Sequence, residues 1–183
     1  RAALSSQQQL SLITSNLGEK IDNISNYAIT LSINSNIADV LKENPTVPEN
    51  TLEHFLVNSE LTDQAQRIIG LHKNIYAWDI LDTENHWFHS STTETDQLDS
   101  ILGPEVLDSL QTNLAFQFLG PFQISGEPTF VALKSITNID NTKYLGALVL
   151  LIRETNISSA FRDLPDSSSR DFYITDENGQ ILS

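Results

Sequence analysis

The sequence predicts an α+β fold: a long N-terminal helix packed on an antiparallel, roughly five-stranded sheet, followed by the start of a second subdomain. Three observations predict it. Apolar residues recur at Leu10, Ile13, Leu17, Ile21, Ile24, Ala28 and Leu31, steps of three or four that draw one stripe along a helix. Further on, aromatic and aliphatic runs alternate with short polar connections, the pattern of hairpins. A last hairpin, Asp171 to Leu182, opens after the body of the domain is complete. Strands that follow one another through tight turns pair antiparallel, and we expect the helices on one side of that sheet.

The first helix carries Ser, Asn, Gln, Asp, Glu and Lys between its apolar positions. Gly18 is its one weak interior residue, at a cost of about 1 kcal/mol against Ala. It is longer than an ordinary globular helix and shows no N-cap at residue 1. It therefore reads as the continuation of an upstream segment, for example a membrane span. Ile33, Ile37, Val40 and Leu41 extend the pattern until Pro45 and Pro48 end it, so residues 1–44 form one helical unit. Residues 49–72 read as a second helical region, with Leu52, Phe55, Leu56, Leu61, Ala65, Ile68, Ile69 and Leu71 apolar.

Residues 74–81 then read as a strand, 82–85 as a turn and 86–90 as the returning strand. Residues 94–113 are helical, with Gly103-Pro104 splitting them into two short helices, the second opening on proline. Three strands follow, at 114–122, 128–138 and 143–153, the last two joined by a polar turn. Residues 154–164 form a short helix and 164–169 a linker. The chain thus divides into the helix of 1–44, a body of 45–166, and a linker with an opening hairpin at 167–183.

Composition narrows the function. A chain of 183 residues with 39% hydrophobic content buries one good core or little more. With 10 Lys and Arg against 24 Asp and Glu, the net charge of -14 excludes nucleic acid and a polybasic membrane contact. The absence of Cys removes disulfides, thiol catalysis and zinc-thiolate sites. The longest apolar run, Tyr144 to Ile152, falls short of the about 20 residues a membrane span needs and reads as a buried strand. Any membrane contact is expected through flanking segments.

No motif calls for catalysis, a metal or a cofactor. There is no Gly-x-Ser-x-Gly elbow and no phosphate-cradling glycine loop. His86 and His89 stand three apart on a strand, on opposite faces, and read as surface or pocket-edge histidines rather than a metal pair. Asp176-Glu177-Asn178-Gly179 begins like a calcium loop but lacks Gly at the sixth position, and a hairpin turn explains it. Glu94, Asp96, Asp99 and Asp108 read as the solvated face of a helix.

The aromatic hairpin is the one surplus. Tyr76 and Trp78 share a strand face, Asp79 lies on the other with Ala77, and Trp87 and His89 share a face on the partner strand. Such amphipathic rings beside a carboxylate suit a small ligand: sugar faces stack on aromatics while Asp accepts from hydroxyls. The same letters also fit Tyr76 and Trp78 as sheet core. Phe118 and Lys134, on neighbouring strands, complete the candidate ligand-binding set by position.

The whole arrangement is PAS-like, and the sequence resembles the extracytoplasmic Cache sensor domains of bacterial transmembrane receptors, sensor histidine kinases first and chemoreceptors second. Three segments carry the resemblance: Leu17 to Leu41, with Asn-Ile-Ser-Asn-Tyr-Ala-Ile-Thr-Leu-Ser; Lys143 to Ile157, with Tyr-Leu-Gly-Ala-Leu-Val-Leu-Leu-Ile; and Asp171 to Ser183. It implies a sensor of a two-component system that binds a small molecule between sheet and loops and transmits through its N-terminal helix. It also implies a homodimer through that helix. The Arg-x-Trp-Tyr signature of amino-acid-binding members is absent, Arg67 being followed by Ile-Ile-Gly, so a sugar or another small solute is the expected ligand. The alternatives are a chemoreceptor ectodomain and a protein-interaction ectodomain that docks a ligand-binding protein.

Overall fold

In the computed structural model, residues 6–45, 47–70, 74–90, 95–138, 140 and 143–162 are described. The order is α1 (Ser6–Ser32), α2 (Ser35–Glu43), α3 (Leu52–Ile69), β1 (Ala77–Asp82), β2 (Trp87–His89), α4 (Thr95–Thr112), β3 (Gln117–Ile124), β4 (Glu127–Thr137), β5 (Tyr144–Arg153) and α5 (Glu154–Arg162). The linker and hairpin expected after residue 163 lie outside the described residues, as do residues 1–5.

All five strands form one antiparallel sheet in the order β2-β1-β5-β4-β3. β5 sits at its centre and is buried along nearly its whole length, which is why its sequence is an almost unbroken aliphatic run. β3 and β4 are joined through Ser125 and Gly126, both at positive φ, the backbone a two-residue hairpin turn demands. β3 is an edge strand, and there Pro121, which has no N–H to give a ladder, is accommodated at an irregularity between Leu119 and Phe122.

Helices cover both faces of the sheet, not one. On one face, Ile24, Ala28 and Leu31 of α1, Ile37 and Leu41 of α2, and Leu61 and Ala65 of α3 meet Trp78, Ile80, Phe130, Ala132 and Leu150. On the other face, Leu98, Leu102 and Leu110 of α4 meet Ala77, Leu81, Val131, Leu133 and Val149. Five hydrophobic strands with both sets of alternating side chains apolar need two covers, and α4 is the second. It is fastened by Ser135, whose hydroxyl donates to the Leu110 carbonyl at 2.5 Å.

The run expected as one helix over 1–44 is two. The chain breaks at Ile33–Asn34, and the Asn34 side chain accepts hydrogen bonds from the backbone N–H groups of Asn36 and Ile37, capping α2. The stripe itself holds: Ile13, Ile24, Ala28 and Leu31 are buried, while Leu10 and Leu12 are exposed at the N-terminal end. α4 has the expected kink, with Gly103 in a non-helical conformation ahead of Pro104. α3 departs from expectation in its first turns, where Leu52, Phe55 and Leu56 face solvent and Val57 turns inward.

Two substitutions test this frame. β1 and β5 approach so closely that a Cβ on Gly146 would lie 2.4 Å from the Leu81 carbonyl oxygen. Gly146→Ala must push the strands apart and is expected to lower unfolding free energy by about 2–4 kcal/mol in urea denaturation. Asn34→Ala, which removes the α2 cap, is expected to cost about 1 kcal/mol in the same measurement.

Candidate functional site

β2 is only three residues long and lies at the sheet edge, so the backbone groups of Trp87 and His89 point away from β1. Left open, they would be unpaired polar groups and a template for another strand. Side chains close them instead. The Trp87 N–H donates to Glu49 Oε1 at 3.3 Å, and the Trp87 carbonyl meets His54 Nε2 at 3.0 Å. Asn58 takes both groups of His89, accepting from its N–H at 2.7 Å and donating to its carbonyl at 3.2 Å. His54 and Asn58 stand four apart on α3, one turn, which matches their reach to alternate residues of the strand. His54 is further held by its ring, stacked on Phe88 at 4.7 Å.

Between α3 and this edge lies a cavity of about 480 Å³, lined by Glu49, Asn50, Thr51, His54, Phe55, Asn58, Trp87 and His89. Its size falls within the range that holds small ligands. His89 connects it to the interior. The His89 ring lies 6.1 Å from that of Trp87, nearly parallel, and its Nδ1 is 2.7 Å from Oδ1 of Asp79, the residue directly opposite on β1. The Trp87 indole N–H donates to Asp99 of α4 at 2.9 Å. Asp79 is 0% exposed, and its second oxygen, Oδ2, has no hydrogen-bond partner among the described residues. Burial raises its carboxyl above the ordinary 3.8, outweighing the hydrogen bond and the charge of His89.

A second aspartate–histidine pair closes the other end of the hairpin. Asp82 Oδ1 accepts from the N–H groups of Glu84 and His86, and its Oδ2 meets His86 Nδ1 at 3.0 Å. This is a turn lock, an Asx arrangement that holds the β1–β2 connection. The nearby Tyr144 hydroxyl is pushed up to about 12, first by burial and then by the Asp82 charge.

Of the seven residues singled out from sequence, the structure brings three together: Asp79, Trp87 and His89 face the α4 side. The other four lie elsewhere. Trp78 points into the α1-side core, its indole nitrogen without a partner among the described residues, beside a cavity of about 310 Å³ that Tyr76 and Ser90 also line. Tyr76 is exposed at that cavity, under the Arg153 guanidinium at 4.8 Å. Phe118 stacks on Phe130 at 5.1 Å on the α1 side. Lys134 alternates onto the same side and donates to the Leu114 carbonyl, with its ammonium lowered by desolvation. Sequence reading missed Glu49, His54 and Asn58. A His-x-x-x-Asn step on a helix carries no recognisable signal until the helix is seen against a strand edge.

Among the described residues no three His, Asp or Glu side chains converge as a metal site, and no helix is long and apolar enough to cross a membrane. No protein-family model and no curated protein sequence matches this chain. Solved structures do. The ligand-binding domain of the Campylobacter jejuni chemoreceptor Tlp3 in complex with L-valine aligns with a TM-score of 0.62 at 12% identity, over 97% of this chain and 69% of that one. The sensor domain of the V. cholerae histidine kinase DctB aligns with 0.58 at 16% identity, over 86% of this chain and 58% of that one. The ligand-binding domain of the Pseudomonas fluorescens chemoreceptor CtaA in complex with L-isoleucine aligns with 0.61 at 12% identity, over 94% and 63%. The fold is shared with these ligand-binding and sensor domains. The likeness at these identities is one of architecture, and this chain spans 58% to 69% of those three chains' lengths.

The buried pair gives a pH test. A carboxyl raised in the folded state contributes stability that is complete below its unfolded value of about 4 and is lost as pH climbs through the folded value. Asp79→Asn abolishes that titration. Its stability relative to the parent chain is therefore expected to rise between pH 4 and pH 7, measured by urea denaturation at each pH.

Proposed function

We propose that this chain is the extracytoplasmic ligand-sensing module of a bacterial transmembrane signalling receptor, with a sensor histidine kinase as its parent. The chain itself binds and transmits; phosphoryl transfer belongs to a cytoplasmic domain of the parent. On this reading residues 1–44 are the signalling helices, 45–166 the sensing subdomain and 167–183 the opening of a second one. One observation carries the proposal. His89 touches a small-ligand-sized cavity on one side and a fully buried, half-satisfied carboxylate on the other.

Transmission follows from what α3 touches. Its Leu61 and Ala65 share a core with Ile24, Ala28 and Leu31 of α1. A ligand that prefers one spacing of α3 and β2 therefore biases α1 by its differential affinity for the two arrangements. Among the described residues the cavity lining includes no Lys or Arg, only His54 and His89, so none of them offers a permanent cation to a ligand carboxylate. Glu49, Asn50, Thr51 and the aromatic rings suit a neutral polar solute such as a sugar better. The solved relatives in complex with L-valine and L-isoleucine make amino acids the first comparison.

A second reading has its own support. Both faces of the sheet are filled by helices, and the cavities lie at its edges, which suits an ectodomain that docks a protein. A thermal-shift screen against sugars, amino acids and small carboxylates separates the two. A ligand at a hundredfold excess over its dissociation constant adds about 2.7 kcal/mol of stability. The expected hit is a neutral solute whose effect disappears in His89→Ala with the fold retained. Flat results for this chain and for a longer one completing the second subdomain overturn the small-ligand reading.

A further inference from the structure

The first two turns of α3 present an apolar surface of which the ligand reading uses only Phe55. Leu52, Phe55 and Leu56 are 75%, 67% and 58% exposed, and their spacing of three and four puts them on one helix face. Three adjacent large apolar side chains held in water on an ordered helix mark an interaction surface more than a scatter of surface leucines does. The face lies on the lip of the cavity, which Phe55 lines.

Charge decides what covers it. Around the patch, α3 carries Glu53, Glu60 and Asp63, and the segment leading into it (residues 44–51) carries Glu49 as its one charge. The nearest cation on the helix, Arg67, is about 16 Å along the axis from Leu56. A second copy of this chain laid on the same face would set these carboxylates against their own images, between bodies of net charge -14. An anionic lipid surface meets the same repulsion. We propose that the outer face of α3 docks a protein segment with an apolar centre and a basic rim. Its apolar side chains cover Leu52, Phe55 and Leu56, and its Lys or Arg residues face Glu53 and Glu60. This goes beyond the small-ligand reading and does not rest on it, since Leu52 and Leu56 do not line the cavity.

The probe is a short amphipathic helical peptide of Leu and Lys, with its Leu-Glu counterpart as the control, followed by amide chemical shifts of this chain. Binding of the Leu-Lys peptide is expected to perturb residues 49–58. Leu52→Ser with Leu56→Ser, and separately Glu53→Lys with Glu60→Lys, are each expected to weaken it by about tenfold. Glu105→Lys with Asp108→Lys changes the net charge equally on exposed positions of α4 and is expected to leave binding unchanged. The proposal is overturned if both charge-reversed variants lose binding alike, since diffuse attraction then explains it. It is also overturned if the serine variant binds as before, or if sedimentation shows a dimer that the serine variant dissolves. The small-ligand screen above is unaffected by any of these results, because His89→Ala leaves the α3 face intact.

Discussion

The constraint on which the rest of this structure depends is the open edge of β2. As the edge strand, β2 pairs on one side only, and its outward N–H and C=O groups must be satisfied by something. α3 supplies that something through His54 and Asn58, with Glu49 from the preceding segment. Because the closure is made by side chains of one helix, the position of α3 and the position of the β1–β2 hairpin are one variable. That coupling places the cavity, since the space between helix and strand is bridged by long polar side chains rather than filled by apolar ones. It also ties the cavity to α1, through the core that α1 and α3 share.

Inside the hairpin the same economy of partners produces an imbalance. Asp79 lies between Val149 and His89 on its two neighbouring strands, and one histidine nitrogen is the only partner described for its two oxygens. A buried carboxylate with an unfilled acceptor costs stability. Asp82, three residues on, is equally buried but accepts from two backbone N–H groups as well as from His86. The two pairs look alike in composition and differ in satisfaction. Asp82 locks a turn, whereas Asp79 holds an unfilled acceptor beneath a histidine that lines the cavity, which is where buried polar groups tend to serve function rather than folding.

Much of the fold was legible because it rests on periodicity. The stripe from Ile13 to Leu31, the polar turn between Leu81 and Trp87, the Gly103-Pro104 kink and the aliphatic run of β5 are local patterns, and each became the element it spelled. What failed needed knowledge of partners. The break at Asn34 was hidden because Ile37, Val40 and Leu41 keep the apolar rhythm across it, and only the cap shows that the helix restarts. The second cover of the sheet was hidden because a strand apolar on both faces does not say which helices flank it. The candidate site was half legible. Alternation placed Asp79, Trp87 and His89 on consistent faces, but the same alternation put Trp78, Phe118 and Lys134 on the opposite side, where a set chosen partly by position could not separate them. Glu49, His54 and Asn58 join the site across more than thirty positions of sequence, and no local pattern carries such a contact.

The exposed leucines of α3 show how a mismatch between pattern and burial becomes information. The periodicity of residues 52–69 asks for more apolar cover than the sheet provides, because the buried apolar residues of α3 are Val57, Leu61, Ala65 and Ile69. Leu52 and Leu56 lie one turn apart on the far side, and neither folding nor the cavity requires them. An acidic surface gains nothing in solubility from leucine at those places, whereas a partner with basic residues around an apolar centre is both drawn and held there. A partner seated on that face rests against Phe55 at the mouth of the cavity. It therefore acts on the same spacing of α3 and β2 that a small ligand would set from within. The two readings of this domain, sensing a solute and docking a protein, thus converge on a single mechanical coordinate.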